Sequence, residues 1–320
     1  QNMTNDWVKN RFYPLISKHY REGTFPFELQ KEMGGMGFFG STLPEKYDTA
    51  GINSVAYGLM MQELERGDSG LRSFASVQGS LVMWPIWKYG SEVQKQKWLP
   101  LLASGEKIGC FGLTEPDYGS NPGGMITRVK HEGDNFILNG TKMWITNSPV
   151  ADVALIWAKD EGGEVRGFLV ERGTPGFETP EIKGKLSLRA SVTGEIVLSN
   201  CEIPLENQLP EADGLKAPLS CLTQARYGIN WGVMGSAIAC YEEAVDYAKT
   251  RIQFDKPIAA FQLTQQKLAE MLNEITKAQF LTLQLGRLKD RATLNHKQVS
   301  LAKMNNVRMA IEIARSARSI

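Results

Sequence analysis

The sequence lacks a long apolar run, a strong net charge and a closely spaced pair of cysteines. Its longest apolar run, Val153 to Ala158, is far shorter than the ~20 residues that cross a bilayer. Lys and Arg number 36 against 35 Asp and Glu, so the net charge is only +1. That balance provides no general field for a nucleic-acid backbone. Membrane-spanning and nucleic-acid-binding classes are therefore disfavoured.

The four cysteines are widely spaced, and no C-x-x-C pair occurs among Cys110, Cys201, Cys221 and Cys240. This usage predicts reduced thiols and a cytosolic or matrix-type compartment. The sequence begins at Gln1 without an Arg-rich leader, so we expect that none existed or that it was removed. We therefore expect a bacterial cytoplasmic protein, or a mitochondrial matrix protein if the source is eukaryotic.

What is present is a globular composition, with 42% hydrophobic residues in a chain of 320. At ~150 residues per domain, that length corresponds to about two domains. The hydrophobic pattern, however, changes twice along the chain. Helical periodicity in 1–107 gives way to short apolar runs and turns in 108–210, and returns in 211–320. We predict an α+β protein with a helical domain, a small all-β domain and a helical bundle.

Several local signals place element ends. Ser91 with Gln94, and Asn295 with Gln298, predict capped helix starts. Asn139-Gly140, Gly162-Gly163 and Thr174-Pro175-Gly176 predict turns between strands. For the last helix, the apolar spacing predicts a core face formed by Val299, Ala302, Val307, Ala310, Ile311, Ala314 and Ala317.

Most catalytic motifs are missing. His19, His131 and His296 have no Cys or carboxylate at ligand spacing, so no metal site is expected. Gly-x-Ser-x-Gly is absent, and no Gly-x-Gly-x-x-Gly follows a strand-like run. A serine hydrolase and a nicotinamide-binding doubly wound sheet are both disfavoured.

Three segments stand out, each with an ordinary alternative. Gly112 to Gly124 is a Gly- and Ser-rich turn that could present backbone N–H groups to a ligand, or form a plain surface loop. Thr141 to Ser148 contains Trp144, which suits either the core or a flat wall for a heterocycle. Arg251 to Gln262 follows a long helix, where Arg251 could simply balance the helix dipole. Alone, none decides a function.

Together these segments resemble the acyl-CoA dehydrogenase family of flavoproteins over essentially the whole chain. Leu113 to Gly124 resembles the first family signature and Tyr247 to Met271 the second. Within the family, the sequence is most similar to the glutaryl-CoA branch. The stretches that carry this are Glu63 to Ser73, Ser76 to Gln78, Cys110 to Pro116, Lys185 to Ser191 and Ala225 to Ile229.

The resemblance implies FAD, together with a residue-by-residue set of contacts. Leu113 and Thr114 would bond the pyrimidine edge of the flavin, and Ser120 would reach the pyrophosphate. Trp144 would cover the ring and Thr146 would bond near N5. The remaining contacts implied are Gly119 and Ile145, with Arg251, Phe254 and Gln262 reaching FAD from a neighbouring subunit. A homotetramer, built as a dimer of dimers, and an electron-transfer flavoprotein as acceptor are implied as well.

For the substrate, the resemblance implies that Arg72 pairs with the distal carboxylate of glutaryl-CoA, with Glu65 beside it. The presence of Glu65 implies decarboxylation to crotonyl-CoA and CO2. Ser73 and Ser76 would support Arg72, and Leu219 to Arg226 would line the acyl-CoA channel. A short-chain acyl-CoA dehydrogenase acting on a monocarboxylic substrate remains the alternative.

The sequence departs from the family at Asn121, where Asp is usual, and at Asp255, where Gly is usual. The family's catalytic glutamate lies beyond the position of Ile320, and the base position of another branch is Ala225 here. No catalytic base is therefore matched within the chain. We expect either a fragment of a longer enzyme or a flavin- and acyl-CoA-binding protein without the dehydrogenase reaction.

Overall fold

The computed structural model describes residues 1–320 and divides into two compact units. One, the helical unit, consists of Gln1–Pro14, Asn53–Arg72 and Arg226–Ile320. The other, the sheet unit, consists of Leu15–Ile52 and Ser73–Ala225. The predicted domain boundaries after residues 107 and 210 stay a prediction.

Ten α-helices account for the two predicted helical regions. They are α1 Asn2–Trp7, α2 Tyr13–Glu22, α3 Gln30–Gly35, α4 Ser54–Gly67, α5 Ser69–Ser76, α6 Trp84–Tyr89, α7 Glu92–Ala103, α8 Lys216–Thr250, α9 Gln262–Asp290 and α10 His296–Arg318. Wide π-type turns at Val8–Phe12 and Val77–Met83 join α1 to α2 and α5 to α6. No helix combines the length and the apolar character that a bilayer crossing demands.

The predicted β region forms one seven-stranded sheet. Its strands are β1 Gly109–Gly112, β2 Arg128–Glu132, β3 Asn135–Thr146, β4 Val153–Lys159, β5 Val165–Glu171, β6 Phe177–Glu178 and β7 Thr193–Pro204. They lie in the order β1-β4-β2-β3-β7-β6, and β5 pairs with β4. The run that opens β4 is fully buried from Val153 to Ala158, because a strand covered on both faces needs no polar alternation.

The turn predicted at Asn139-Gly140 is wrong. Both residues lie inside β3, where the pairing with β7 shifts between Leu138 and Gly140. Gly140 has φ of 149°, and a Cβ there would lie 2.7 Å from the Thr127 Cα. The pair therefore forms a bulge rather than a hairpin loop, since β3 continues along the same neighbour.

The other local signals are confirmed. Ser91 with Gln94 forms a capping box on α7, as Asn295 with Gln298 does on α10. Gly162-Gly163 lies between β4 and β5, and Thr174-Pro175-Gly176 precedes β6. These positions depend on backbone geometry within a few residues, which the sequence specifies directly.

The core face predicted for α10 is wrong in part. Val299 and Ala302 are buried, but Ile311 is exposed. Asn306 is buried instead, and its Nδ2 donates to Thr282 Oγ1 at 3.0 Å and to the Asn230 carbonyl at 3.2 Å. The polar side chain turns inward because the facing helices provide hydrogen-bond partners for it.

Candidate functional site

In the sheet unit, the segment after β1 runs beside the end of β3. The Met143 N–H donates to the Thr114 carbonyl at 2.9 Å, which fixes the backbone at Leu113 and Thr114. Leu113 is buried, while Thr114 is half-buried and its hydroxyl makes no hydrogen bond in the structure. The two residues therefore present polar groups from an anchored backbone.

A buried ion pair lies directly behind this segment. Lys142 Nζ donates to Glu115 Oε1 at 2.9 Å and to the Leu113 carbonyl at 3.2 Å. Both charged side chains are almost completely inaccessible to solvent. Burial lowers the pKa of Lys142 to about 8, although the Glu115 carboxylate opposes that shift.

The end of β3 carries a second bulge that presents Trp144. Pairing with β7 shifts between Lys142 and Ile145, and Trp144 has φ of 62°. A Trp in the left-handed region is unusual, and such backbone strain concentrates at functional sites. Its side chain is 59% exposed, so the core alternative is wrong and the ring is free to cover a ligand.

Beyond the bulge, further polar groups remain unsatisfied. Thr146 is half-buried and its hydroxyl makes no hydrogen bond in the structure, whereas Ser148 Oγ donates to the Ile145 carbonyl at 3.1 Å. Asn147 has φ of 69°, and its buried Nδ2 lacks a hydrogen-bond partner. A buried unpaired donor is costly, so its presence next to the open Thr146 hydroxyl indicates a ligand site.

Gly119 and Ser120 lie in the exposed loop between β1 and β2. A Cβ at Gly119 would meet nothing within 4 Å. The Met143–Thr114 hydrogen bond thus places the Leu113–Thr114 segment next to the Trp144 bulge, and the loop that follows is left open. This combination of fixed polar groups, an exposed indole and an open loop fits a bound heterocycle with a phosphate tail.

The helical unit places Arg251, Phe254 and Gln262 around a short hairpin after α8. The hairpin strands are β8 Ile252–Gln253 and β9 Lys256–Pro257, and Ile258 N–H donates to the Arg251 carbonyl at 2.9 Å. All three predicted cofactor residues are exposed, and Phe254 is 86% exposed with φ of 50°. An aromatic ring held outward in this way is available to a ligand.

The predicted substrate residues Glu65 and Arg72 form a buried ion pair within the helical unit. Arg72 Nε donates to Glu65 Oε2 at 2.6 Å, and Ser69 Oγ donates to Glu65 Oε1 at 2.9 Å. The terminal nitrogens of Arg72 make no hydrogen bond in the structure. With no protein acceptor in the structure, these donors are available to an anion supplied by a ligand.

Gly232 on α8 makes room for that pair. A Cβ at this position would overlap Glu65 Oε2 and lie 3.1 Å from Arg72 Nε. One turn further on, Ser236 Oγ donates to the Glu65 backbone carbonyl at 3.3 Å. The close approach of α8 therefore contacts Glu65 at its side chain, next to Gly232, and at its backbone carbonyl, through Ser236.

The remaining predicted substrate residues lie on two helices. Ser73 and Ser76 are on α5, where Ser76 is buried. Leu219 and Arg226 lie seven positions apart on α8, with Leu219 exposed and Arg226 half-buried.

Sequence reasoning missed Lys142, Glu115 and Gly232 as site residues. Glu115 and Lys142 stand in segments already singled out, but 27 positions separate them and no motif pairs them. Gly232 lies in a long helix and is paired with nothing in the sequence pattern. Only long-range contacts reveal these three.

Comparison with known proteins assigns the whole chain. Models of the acyl-CoA dehydrogenase N-terminal, middle and C-terminal domains match residues 1–106, 110–201 and 212–320. Human mitochondrial short-chain specific acyl-CoA dehydrogenase is 35% identical over 98% of this chain and 78% of its own length. Glutaryl-CoA dehydrogenase of Desulfococcus multivorans is 36% identical over 95% of this chain and 80% of its length.

A solved structure gives the same result. The glutaryl-CoA dehydrogenase of Mycobacterium smegmatis, crystallised in complex with FADH2, is 53% identical and matches with a TM-score of 0.97. The match covers 99% of this chain and 81% of that one. The chain therefore belongs to the acyl-CoA dehydrogenase family of FAD-dependent enzymes.

Proposed function

We propose that this protein oxidises glutaryl-CoA and decarboxylates it to crotonyl-CoA and CO2. The observation that carries the proposal is the Glu65–Arg72 pair, in which Nε is bonded and the terminal guanidinium nitrogens are free. Glutaryl-CoA ends in a carboxylate, which a planar guanidinium recognises with two parallel hydrogen bonds.

Arg72 would also select against other substrates. A monocarboxylic acyl-CoA would leave the terminal nitrogens of Arg72, a residue that is only 9% exposed, without a partner. Sites built around a charged group discriminate strongly against ligands that leave that group unpaired. Ser69 holds the Glu65 carboxylate, which in turn holds the guanidinium. Ser73 and Ser76, on the same helix as Arg72, are assigned to support it.

For the cofactor, we assign the contacts to the segments after β1 and at the end of β3 and to the hairpin after α8. Leu113 and Thr114 would bond the pyrimidine edge of the flavin, Trp144 would cover its ring, Thr146 would bond near N5, and Ile145 would add a further contact. Gly119 and Ser120 hold the pyrophosphate. Arg251, Phe254 and Gln262 hold the adenosine end of an FAD in a neighbouring subunit. When bound, FAD accepts the hydride that leaves the β-carbon of the substrate.

The acyl chain would enter along the Leu219–Arg226 segment of α8, which has an exposed leucine at its start. Hydrogen bonds at the thioester carbonyl stabilise negative charge as the α-proton leaves. The resemblance puts the proton-abstracting glutamate after the position of Ile320, so none of residues 1–320 is proposed as the base. We infer that electrons leave to an electron-transfer flavoprotein.

Arg72→Ala in the full-length protein tests the substrate assignment. Loss of a charge-assisted bond worth ~1.5–3 kcal/mol should lower kcat/KM for glutaryl-CoA by about 10- to 150-fold. Because butyryl-CoA has no distal carboxylate, kcat/KM for butyryl-CoA should fall much less. Steady-state assays on both substrates measure the ratio.

Arg66→Ala is the matched control, because Arg66 also pairs with glutamates, Glu63 on α4 and Glu242 on α8, but is not assigned to the substrate. This variant should change kcat/KM for the two substrates by the same factor. Equal losses on the two substrates with Arg72→Ala would overturn the glutaryl-CoA assignment.

The second candidate is a short-chain monocarboxylic acyl-CoA, favoured by the human short-chain relative at 35% identity. Turnover of butyryl-CoA above glutaryl-CoA by the unmodified protein would select it. Mass analysis of the product separates decarboxylation from simple oxidation, since only decarboxylation converts glutaryl-CoA to crotonyl-CoA. If no acyl-CoA reduces the bound flavin of the full-length protein, the protein would instead bind flavin and acyl-CoA without the dehydrogenase reaction.

A further inference from the structure

The buried pair Lys142–Glu115 ties together the Leu113 backbone, the start of the Trp144 bulge and the two ends of the loop that carries Gly119 and Ser120. Lys142 Nζ reaches the Leu113 carbonyl, so the pair holds the start of the loop after β1. Lys142 also lies in β3 immediately before the bulge that turns Trp144 outward. Both features meet at one ammonium group that is fully shielded from solvent.

The far end of the loop is tied to the same carboxylate. Glu115 Oε2 accepts from the Ile126 N–H at 2.7 Å, and Oε1 accepts from the Thr127 N–H at 3.0 Å. The loop that contains Gly119 and Ser120 therefore has both of its ends joined at Glu115. Displacement of that carboxylate would release both ends together.

The cost of such a pair argues against a purely structural role. Burying an ammonium and a carboxylate is expensive, and a well-packed apolar pair often stabilises a fold as well or better. Four hydrogen bonds converge on these two side chains, which means that the pair specifies one position for the surrounding backbone. Ligand sites require that kind of precision.

We propose that Lys142 and Glu115 are positioning residues for FAD. They set the Leu113–Thr114 backbone, the Trp144 bulge and the 116–125 loop in the arrangement that binds the cofactor, without touching it. This inference rests on the flavin contacts assigned above. It predicts that loss of the pair weakens FAD binding more than it weakens the fold.

Three variants of the full-length protein test the role. Lys142→Met removes the ammonium and its bond to Leu113. Lys142→Met with Glu115→Gln removes both charges, so no uncompensated carboxylate stays buried. Lys107→Met is the control, because Lys107 pairs with Asp152 at 3.0 Å in the same sheet unit but contacts no residue assigned to FAD.

The FAD dissociation constant is measured by flavin fluorescence at a temperature where circular dichroism shows each variant folded. Both pair variants should bind FAD at least about tenfold more weakly, with an altered visible flavin spectrum, while Lys107→Met stays within about twofold of the parent. Folded pair variants that retain parental affinity and spectrum would overturn the proposal.

Amide exchange on the unmodified protein gives a second test that does not depend on any variant folding. Because Glu115 joins both loop ends, FAD should slow exchange at Ile126 and Thr127 as well as at Thr114. No protection at Ile126 and Thr127 in the FAD-bound protein would contradict the coupling.

Trp144→Ala separates this inference from the site assignment on which it rests. Weaker FAD binding in Trp144→Ala with parental binding in the pair variants would refute only the positioning role. Parental binding in Trp144→Ala would refute the assignment itself.

Discussion

At the scale of single residues, Gly232 has no room for a side chain beside the Glu65–Arg72 pair. Its Cβ position overlaps the Glu65 carboxylate that holds Arg72, so Gly232→Ala must displace the pair or push α8 away from α4. We expect the substitution to lower the free energy of unfolding by about 1–3 kcal/mol and to raise KM for glutaryl-CoA more than KM for butyryl-CoA. Denaturant unfolding and steady-state kinetics measure the two effects.

Gly35→Ala is the matched control, since a Cβ at the end of α3 would meet nothing within 4 Å. It should leave both the stability and the substrate ratio almost unchanged. A Gly232→Ala protein as stable and as selective as the parent would show that the space is not needed.

Glu115 should make the stability of the fold acid-sensitive. Burial raises the pKa of its carboxyl, but hydrogen bonds from the Ile126 N–H and from Lys142 outweigh burial, so the net shift is downward. A lowered folded-state pKa contributes stability above the ordinary value of 4.5 that is lost as the pH falls through the lowered pKa. Glu115→Gln should therefore show a weaker loss of unfolding free energy between pH 7 and about pH 3. An unchanged pH dependence in urea unfolding would contradict this role.

At the scale of elements, the β8–β9 hairpin is closed by a strained two-residue loop. Phe254 has φ of 50° and Asp255 has φ of 58°, and this pattern matches the turn type that favours glycine. Glycine, the usual residue of the family at position 255, would adopt this backbone conformation without strain, whereas Asp255 does not. Asp255→Gly should raise the free energy of unfolding by at most about 1 kcal/mol, measured by thermal denaturation.

The β2–β3 hairpin offers the control for this change. Its loop is Gly133-Asp134, where Gly133 has φ of 59° and Asp134 is not in the left-handed region. Asp134→Gly should lower stability slightly, because the added glycine freedom relieves no strain. We expect the free energy of unfolding to rise with Asp255→Gly and to fall with Asp134→Gly. A change of the same sign in both would show that the strain at Asp255 is negligible.

At the scale of the whole molecule, the assigned FAD contacts predict assembly. Because Arg251, Phe254 and Gln262 are assigned to an FAD in a neighbouring subunit, cofactor binding and association should be coupled by mass action. We expect a homotetramer, built as a dimer of dimers across isologous interfaces. Arg251→Ala should weaken both FAD retention and the dimer, as measured by light scattering of the FAD-loaded protein.

Arg128→Ala, which changes an exposed arginine on β2 that is not assigned to FAD, should leave assembly unaltered. A monomer that keeps its FAD on dilution would show that Arg251, Phe254 and Gln262 do not act between subunits.

The sequence by itself determined the features that depend on neighbouring residues or on long motifs. The α+β order of regions, the capping boxes at Ser91 and Asn295, the family and its cofactor FAD are all confirmed. Caps and turns follow from hydrogen bonds within a few residues, while long motifs identify a family because many positions must agree at once.

Tertiary structure alone decided what depends on contacts between distant segments. Asn139-Gly140 became a bulge because β7 continues its pairing on both sides, and Asn306 turned inward because Thr282 and Asn230 accept its hydrogen bonds. The Lys142–Glu115 pair joins residues 27 positions apart, and Gly232 matters only because α8 approaches Glu65. Such contacts have no local signature in the sequence. The same side chains would be exposed to solvent in a fold that brought no partner near them.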